Sequence, residues 1–209
     1  MKLKDKLKPS TPPLEAGMYL AVCTMVIDIG QQYNERSKKV ENKLMFVFDI
    51  PDEKIDTGKG MAPRQLSLKC NYTAHENGKY TKLLCSWLNR KFTKDEVKNF
   101  EAFDLIGLGC QLLLIVSDDK EHNWVEKVMP LRSGMKTPTS SNPSYTYDID
   151  EDGFSGEKWN SLPEWVRGIV EKSEQYQRNP PAQPLEMPED EAPPEPPQTP
   201  EPDEEDCPI

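Results

Sequence analysis

Short runs of apolar and β-branched residues, separated by polar stretches, occupy most of the first 131 positions. Five of these runs predict β-strands: residues 18–29, 44–50, 64–73, 110–116 and 123–131. The third run alternates apolar and polar residues, as a half-buried strand does. We expect Gly30 to end the first strand, residues 31–39 to form a polar loop, and Pro51 to stop the second strand.

The hydrophobic period changes from two to about 3.6 between the third and fourth strands. Five residues recur at the spacing of a one-sided helix: Tyr80, Leu83, Leu84, Trp87 and Leu88. Thr93 and Glu96 then fit the capping box of a second short helix. We expect Trp87, Phe46 and Phe48 to be core residues, because large aromatic side chains in such runs are usually buried.

Three strands, a helical insert and two strands make up the order of the oligonucleotide- and oligosaccharide-binding (OB) barrel. The predicted fold class is therefore mainly β: a five-stranded OB barrel over residues 17–132 with a helical insert between strands 3 and 4. A polar connection over residues 133–160 leads to a C-terminal helix over 161–178. The apolar stripe of this helix is expected to pack on the barrel; a dimer or recombinase contact is the alternative. The residues of the stripe are Leu162, Trp165, Val166, Ile169 and Val170.

The C-terminal stretch, residues 179–209, has a composition that cannot form a core. From position 180 onward it holds eleven prolines, ten acidic residues and no basic or aromatic residue, so disorder is predicted. Its acidic residues crowd against a small apolar end, which favours presentation of a docking tip to another protein. The residues of this predicted tip are Asp203, Glu204, Glu205, Asp206, Cys207, Pro208 and Ile209. A merely solubilising tail is the alternative.

Charge is divided unevenly along the chain. The formal net charge is −10 at pH 7, and the stretch after position 179 accounts for all of it. The rest is formally neutral, so the acidic pI does not exclude an anionic partner for the body.

The N-terminal residues 1–16 are basic and proline-rich and are expected to form a flexible arm. They contain no apolar run, so neither a signal peptide nor a membrane span is predicted. The five cysteines include no C-x-x-C pair, which favours reduced thiols in a cytosol over a disulfide framework.

Several short stretches make the body resemble one known family. They are 8–17 (Lys-Pro-Ser-Thr-Pro-Pro-Leu-Glu-Ala-Gly), Pro51-Asp52-Glu53, His75-Glu76, Ser86-Trp87 and Arg90-Lys91-Phe92. Over about residues 8–178 the chain resembles phage-encoded single-stranded DNA-binding proteins, and its acidic tip is similar to that of the bacterial proteins. The end Cys-Pro-Ile departs from the Ile-Pro-Phe typical of the bacterial family. The resemblance implies single-stranded DNA as ligand, with replication or recombination proteins (polymerase, helicase/primase or recombinase) at the tip.

Binding of single strands requires cations for phosphates and aromatic rings for bases. The sequence offers one such cluster after strand one, a polar face on strand three, and a third group around strand five. The candidate DNA-binding residues are Tyr33, Arg36, Lys38, Lys39, Arg64, Lys69, Asn71, Lys120, Trp124 and Lys127. Tyr33, flanked by three cations, is the foremost candidate.

Catalytic readings find little support in the sequence. Asp148 to Gly153 begins like a calcium loop, but Trp159 occupies the position of its bidentate glutamate. A metal nuclease built from Asp118, Asp119 and Glu121 is an alternative to exposed acidic surface. We expect no catalytic residues, no metal and no cofactor.

The resulting hypothesis is sequence-nonspecific coating of single-stranded DNA in phage replication or recombination, in the cytoplasm of a bacterial host. No membrane contact is expected, and a homodimer is possible. The alternative is a phage adaptor or host-inhibitory protein that binds only proteins.

Overall fold

The computed structural model describes residues 11–58 and 60–180. In chain order the elements are β1 (Gly17–Asn34), β2 (Lys39–Asp56), β3 (Met61–Asn71), α1 (Lys79–Trp87), α2 (Lys94–Lys98), a 3-10 helix (Ala102–Leu105), β4 (Gly109–Val116), β5 (Asn123–Pro130), β6 (Tyr145–Tyr147), α3 (Ile149–Asp152), α4 (Glu157–Ser161), α5 (Glu164–Val170) and α6 (Glu174–Arg178). The protein is mainly β, and helices separate β3 from β4, as predicted.

The strands form one open sheet in the order β3-β2-β1-β4-β5, with antiparallel neighbours throughout. The short β6 lies parallel to β1 beside Met25–Ile27, next to the segment of β1 that pairs with β4. Within the described residues no strand ladder joins β3 to β5. The sheet therefore does not close into the predicted barrel by backbone pairing.

The first two strands are longer than the apolar runs that predict them. β1 continues through Gln31 to Asn34 and pairs directly with the start of β2, so the predicted loop over residues 31–39 is reduced to a turn over residues 35–38. A hairpin needs only backbone hydrogen bonds, and its side chains can remain polar when both faces meet solvent. Pro51 does not stop β2, because it lies at an irregularity in the β2–β3 pairing, where a residue without an N–H is tolerated.

The inner face of the sheet holds the larger core, which α1, α2 and the 3-10 helix cover. Phe46, Phe48 and Trp87 are at most 1 % exposed, as predicted, and the rings of Phe48 and Trp87 meet edge to face at 5.4 Å. Trp87 Nε1 donates to the Gly109 carbonyl at 3.3 Å. Thr93 and Glu96 form the predicted capping box at the start of α2.

The outer face of β1 and β2 carries a second core, which the chain after β5 covers. Met25, Ile27, Met45 and Val47 are at most 2 % exposed there. They pack against residues from β6 and helices α3 to α5: Tyr147, Ile149, Trp159, Leu162, Val166 and Val170. Both faces of the central strands are therefore buried, which explains their long apolar runs.

The predicted single helix over residues 161–178 is two short helices, α5 and α6. The chain turns at Ser173, whose hydroxyl accepts from the backbone N–H of Tyr176 at 3.2 Å and caps α6. The break brings α6 against β1, where the Gln175 side chain accepts from the Gln31 backbone at 2.8 Å. Of the predicted apolar stripe, Val166 is buried and Trp165 is 42 % exposed.

Gly30 makes this close approach possible. Its φ is +69°, and a Cβ built there would lie 2.6 Å from Ile149 Cδ1 and 2.7 Å from Gln175 Oε1. The glycine thus serves a tertiary contact within β1, and the predicted strand end at this position is wrong.

The buried carboxylate of Asp49 forms hydrogen bonds that hold the segment between β5 and β6 against the sheet. Asp49 is 0 % exposed and accepts from Thr24 Oγ1 and Gln65 Nε2, both at 2.9 Å. Its second oxygen accepts from Ser140 Oγ and, at 2.7 Å, from Asn142 Nδ2. Four neutral donors replace the water that the carboxylate loses, as a buried charge requires.

The first described residues bridge the gap between β3 and β5. Arg64 on β3 donates to the Pro12 carbonyl at 2.5 Å and to Asn123 Oδ1 at 3.3 Å. Asn123, at the start of β5, also exchanges two hydrogen bonds with the Leu14 backbone at 2.7 and 2.8 Å. Residues 11–16 of the predicted flexible arm thus lie against the sheet; residues 1–10 are outside the described part.

Candidate nucleic-acid interface

The hairpin between β1 and β2 carries the first predicted cluster. Tyr33 is 57 % exposed and lies opposite Val40 in the ladder. The Asn34 side chain accepts from the Arg36 backbone at 3.0 Å, and Lys38 turns the chain with φ +57°. The side chains of Arg36, Lys38 and Lys39 make no ion pair with a described residue. The hairpin therefore carries an exposed ring and three cations within a few residues, although Lys39, which lies opposite Asn34, is on the other face of the ladder from Tyr33.

The outer face of β4 and β5 carries the second cluster. Trp124 is 59 % exposed and lies opposite Ile115, while Lys127 lies opposite Leu113. Opposed residues of an antiparallel pair share a face, so the ring and the cation lie on the same surface. Lys120 projects from the turn before β5 with φ +57°. Neither lysine forms an ion pair within the described chain.

Apolar neighbours enlarge the surface around Trp124. Met18 on β1 lies opposite Leu113 on β4, and Met18 and Ile115 are 45 % and 39 % exposed. We name Met18, Leu113, Ile115 and Trp124 the outer apolar patch. Sequence reasoning missed this patch, because apolar residues in a strand predict burial unless the layer above the sheet is known.

The predicted DNA-binding residues of β3 do not stay together in the structure. Arg64 is engaged by Pro12 and Asn123, so its guanidinium acts as a brace across the gap. Lys69 lies opposite Met45, and Asn71 opposite Lys43, on the outer face. Burial lowers the pKa of Lys69, and the charges of Lys172 and Lys43 lower it further.

The proximity of Lys69 to Lys172 was not predictable from spacing. Lys172 follows α5, about a hundred positions later in the chain, and reaches β3 only because the C-terminal helices fold over β1 and β2. The three lysines form a cationic surface that borders the second core.

The predicted residues do not form one continuous site. β4 runs antiparallel to β1 and pairs with its first six residues, so the turn carrying Lys120 lies at the opposite end of β1 from the hairpin carrying Tyr33. A straight strand of this length would span about 50 Å. The two ring-and-cation clusters are distinct surfaces.

The groups with possible catalytic chemistry are an exposed cluster in the turn after β4 and the buried thiol of Cys70. Asp119, Glu121 and His122 approach one another in the turn after β4, and all three are exposed. The carboxylate of Asp119 holds that turn by accepting from Ser117 Oγ and the Glu121 backbone, and the Ser117 bond chiefly lowers its pKa. Burial raises the pKa of the Cys70 thiol to about 12, which makes it a poor nucleophile.

The segment that begins like a calcium loop, residues 148–153, is a capped helical turn. Asp148 accepts from the backbone N–H groups of Asp150 and Glu151 at 2.9 and 3.2 Å. Its carboxylate is therefore already used by the start of α3.

The docking tip, Asp203 to Ile209, lies outside the described residues. No described helix is long and apolar enough to span a membrane.

No family model, curated protein or solved structure matches the chain.

Proposed function

We propose that this protein coats single-stranded DNA with little sequence preference and has no catalytic role. One observation carries the proposal. Tyr33 and Trp124 are the two most exposed aromatic side chains among the described residues, and each lies beside lysines or arginines that have no ion-pair partner there. Exposed rings with free cations provide base stacking and phosphate contacts, which single strands need.

The fold supports a finer assignment as an OB barrel. The strand order, the helical insert after β3 and the contact of α1 with both β3 and β5 fit a barrel whose gap is bridged by side chains. The Arg64–Asn123 hydrogen bond crosses that gap. In this assignment a bound strand contacts the Tyr33 hairpin and the uncovered outer face around Trp124 as two separate surfaces.

The wider biological role follows from the resemblance described above. The protein acts in phage replication or recombination in the host cytoplasm, and the acidic end from Asp203 to Ile209 recruits a polymerase, helicase/primase or recombinase. A homodimer would place two such surfaces on one strand.

Titration of fluorescent oligo-dT with the full chain at several salt concentrations tests this function. Phosphate contacts predict a log-log slope of about −0.7 per contact. Tyr33→Ala and Trp124→Ala should each lower the affinity about 5- to 150-fold, which corresponds to about 1–3 kcal/mol per stacked base. Trp165→Ala is the matched control, since that ring is also exposed but lies on α5. Absence of binding at micromolar protein in dilute buffer would refute the proposal.

A protein-only adaptor is the second candidate, and the outer apolar patch favours it. Exposed apolar patches often mark protein contacts, and Met18 and Ile115 offer nothing to a phosphate. In that case oligo-dT would not bind, whereas Trp124→Ala would weaken capture of a protein partner.

A further inference from the structure

Two lysines on the outer face, Lys69 and Lys172, carry positive charge that no described group neutralises. Both residues are exposed, and neither side chain makes a hydrogen bond or an ion pair with a described residue. Neighbouring atoms partly desolvate the Lys69 ammonium, which lowers its pKa, and repulsion from Lys172 and from Lys43 lowers it further. Like charges that the fold holds together cost free energy, so the pair points to an anion from outside the chain.

The backbone on either side of Lys172 is fixed against β1. The Gln32 side chain donates to the Ile169 carbonyl at 3.1 Å. The Gln175 side chain accepts from the Gln31 backbone at 2.8 Å. The packing of helices α5 and α6 on the sheet therefore sets the position of Lys172.

Lys69 reaches the same region from β3. It lies opposite Met45, whose side chain is buried in the second core, so the two side chains share the outer face. β3 is the last strand on this side of the sheet, and the exposed residues Ser67 and Lys69 lie beyond the covered strands. The two ammonium groups therefore flank the margin of the covering segment, where a ligand can reach both.

Glu41 is the acid that pairs with a lysine on this face. Its carboxylate lies 3.8 Å from the ammonium of Lys43, and the charge of Lys43 helps to lower the pKa of Glu41. Met45, the partner of Lys69, follows Glu41 by four residues on β2, which is about 13 Å along a strand. Glu41 therefore offsets Lys43 and leaves Lys69 and Lys172 as the uncompensated charge.

We propose that Lys69 and Lys172 together bind one phosphate group of a single strand, so that the C-terminal helices supply part of the nucleic-acid interface. The site rests on the proposed function. Lys69 is among the predicted DNA-binding residues, whereas Lys172 lies outside the predicted barrel and completes the site only in the folded chain. Lysine ammonium groups act on phosphate as point charges, and phosphate contacts carry no base specificity.

Titration of fluorescent oligo-dT with the full chain at several salt concentrations tests the pair. Lys69→Gln and Lys172→Gln should each weaken binding about 3- to 10-fold at low salt. The double variant should reduce the magnitude of the salt slope by about 0.7, the value for one phosphate contact. A reduction of about 1.4 would indicate two separate phosphate contacts and overturn the shared site.

Lys136→Gln is the matched control. Lys136 is also exposed and has no ion-pair partner among the described residues, but it lies in the connection after β5. This variant removes the same charge and should leave the salt slope unchanged. Lys172→Arg keeps the charge and should retain the affinity.

Thermal unfolding distinguishes a binding role from a structural one. The midpoints of Lys69→Gln and Lys172→Gln should not fall, because the removed ammonium groups bond to nothing in the described chain and repel each other. A loss of affinity that accompanies a fall in the midpoint of both variants would indicate a structural role and overturn the site.

Acetylation of lysines, followed by mass spectrometry with and without oligo-dT, locates the contact independently of affinity. Oligo-dT should protect Lys69 and Lys172, and Lys136 should react equally in both states. Inorganic phosphate at the same phosphate concentration should protect the pair less, because a strand is also held by its other contacts. Equal protection by inorganic phosphate would overturn the assignment to a strand.

The outcomes separate this site from the wider function. Oligo-dT binding that Lys69→Gln and Lys172→Gln leave unchanged, with both lysines unprotected, would refute the paired site and spare the strand-coating function. Absence of oligo-dT binding would refute both.

Discussion

The outer face of the sheet has two halves that differ in what covers them. Over β1 and β2, Met45 and Val47 are completely buried beneath β6 and helices α3 to α5. Over β4 and β5, Ile115 and Trp124 are 39 % and 59 % exposed. Both halves present apolar side chains outward, yet residues 11–58 and 60–180 cover only one of them.

The contrast separates stabilising apolar residues from those available to a ligand. Removal of apolar surface from water stabilises the covered half by about 25 cal/mol per Å². The outer apolar patch gains no such stabilisation within the described chain, and the neighbouring Lys120 and Lys127 form no ion pair with a described residue. Substitutions should therefore affect folding on one half and binding on the other.

The largest expected effect is from a charge placed in the covered half. Val166→Asp buries an unpaired carboxylate against β1 and should lower the free energy of unfolding by at least about 4 kcal/mol. Ile115→Asp, the counterpart on the half that the described chain leaves uncovered, should lower it by only about 1–2 kcal/mol, because Ile115 is 39 % exposed and its carboxylate stays in water. Urea denaturation of both variants measures the difference, and equal losses would contradict the comparison.

The attachment of the covering segment depends on Asp49. Asp49→Asn replaces one accepting oxygen with an N–H₂ group that faces donors, and should cost about 2–4 kcal/mol. Asp52→Asn, an exposed carboxylate on the same strand, is the control. If unfolding midpoints of the two variants agree, the Asp49 network does not hold the segment.

A third effect concerns pH at the edge of the covered half. Burial raises the pKa of Asp28 from 3.8 to about 6, and repulsion from Asp148 and Asp150 adds to it, against a hydrogen bond from Gly30. The folded state then binds the proton more tightly than the unfolded chain. The free energy of unfolding should fall as pH rises from about 4 to about 6 and level off above.

Asp28→Asn keeps an acceptor for Gly30 but removes this titration. The variant should be more stable than the natural chain at pH 7 by about 1–3 kcal/mol, with little difference near pH 4. Asp150→Asn, which is exposed, should reproduce only a small part of the gain. Chemical denaturation across this range checks the sign; a loss of stability at pH 7 would contradict it.

The smallest expected effect comes from removal of one charge on the half of the outer face that the described chain leaves uncovered. Lys127→Gln should reduce the magnitude of the salt slope of oligo-dT binding by about 0.7 and leave stability unchanged. Lys158→Gln is the matched control, because Lys158 pairs with Asp152 at 2.7 Å within the covering segment. A slope that responds equally to both would remove Lys127 from the interface.

Much of the secondary structure was predictable because it follows from patterns of residues that are close together in the sequence. The five apolar runs, the helical period from Tyr80 to Leu88 and the Thr93–Glu96 capping box all correspond to observed elements. The lengths of β1 and β2 could not be predicted in this way. The polar residues 31–34 extend β1 by backbone hydrogen bonds to β2, and a pattern of apolar and polar side chains does not indicate such bonds.

The candidate residues illustrate the same division. Tyr33 and Trp124 were identified from residue type and neighbours, and both are exposed; their role in binding stays a prediction. Arg64 was chosen by the same logic, but it is engaged with Pro12 and Asn123. Type and spacing cannot distinguish a free cation from a bonded one when the partner is distant in sequence.

The sequence alone determined which segments become strands and helices and where cations accompany rings, because these depend on neighbours a few positions apart. Only the tertiary structure decided which apolar face would be covered and which lysines would meet. Those outcomes depend on contacts between residues a hundred positions apart, such as Asp49 with Asn142 or Gly30 with Gln175. They arise from how layers pack, which no local pattern encodes.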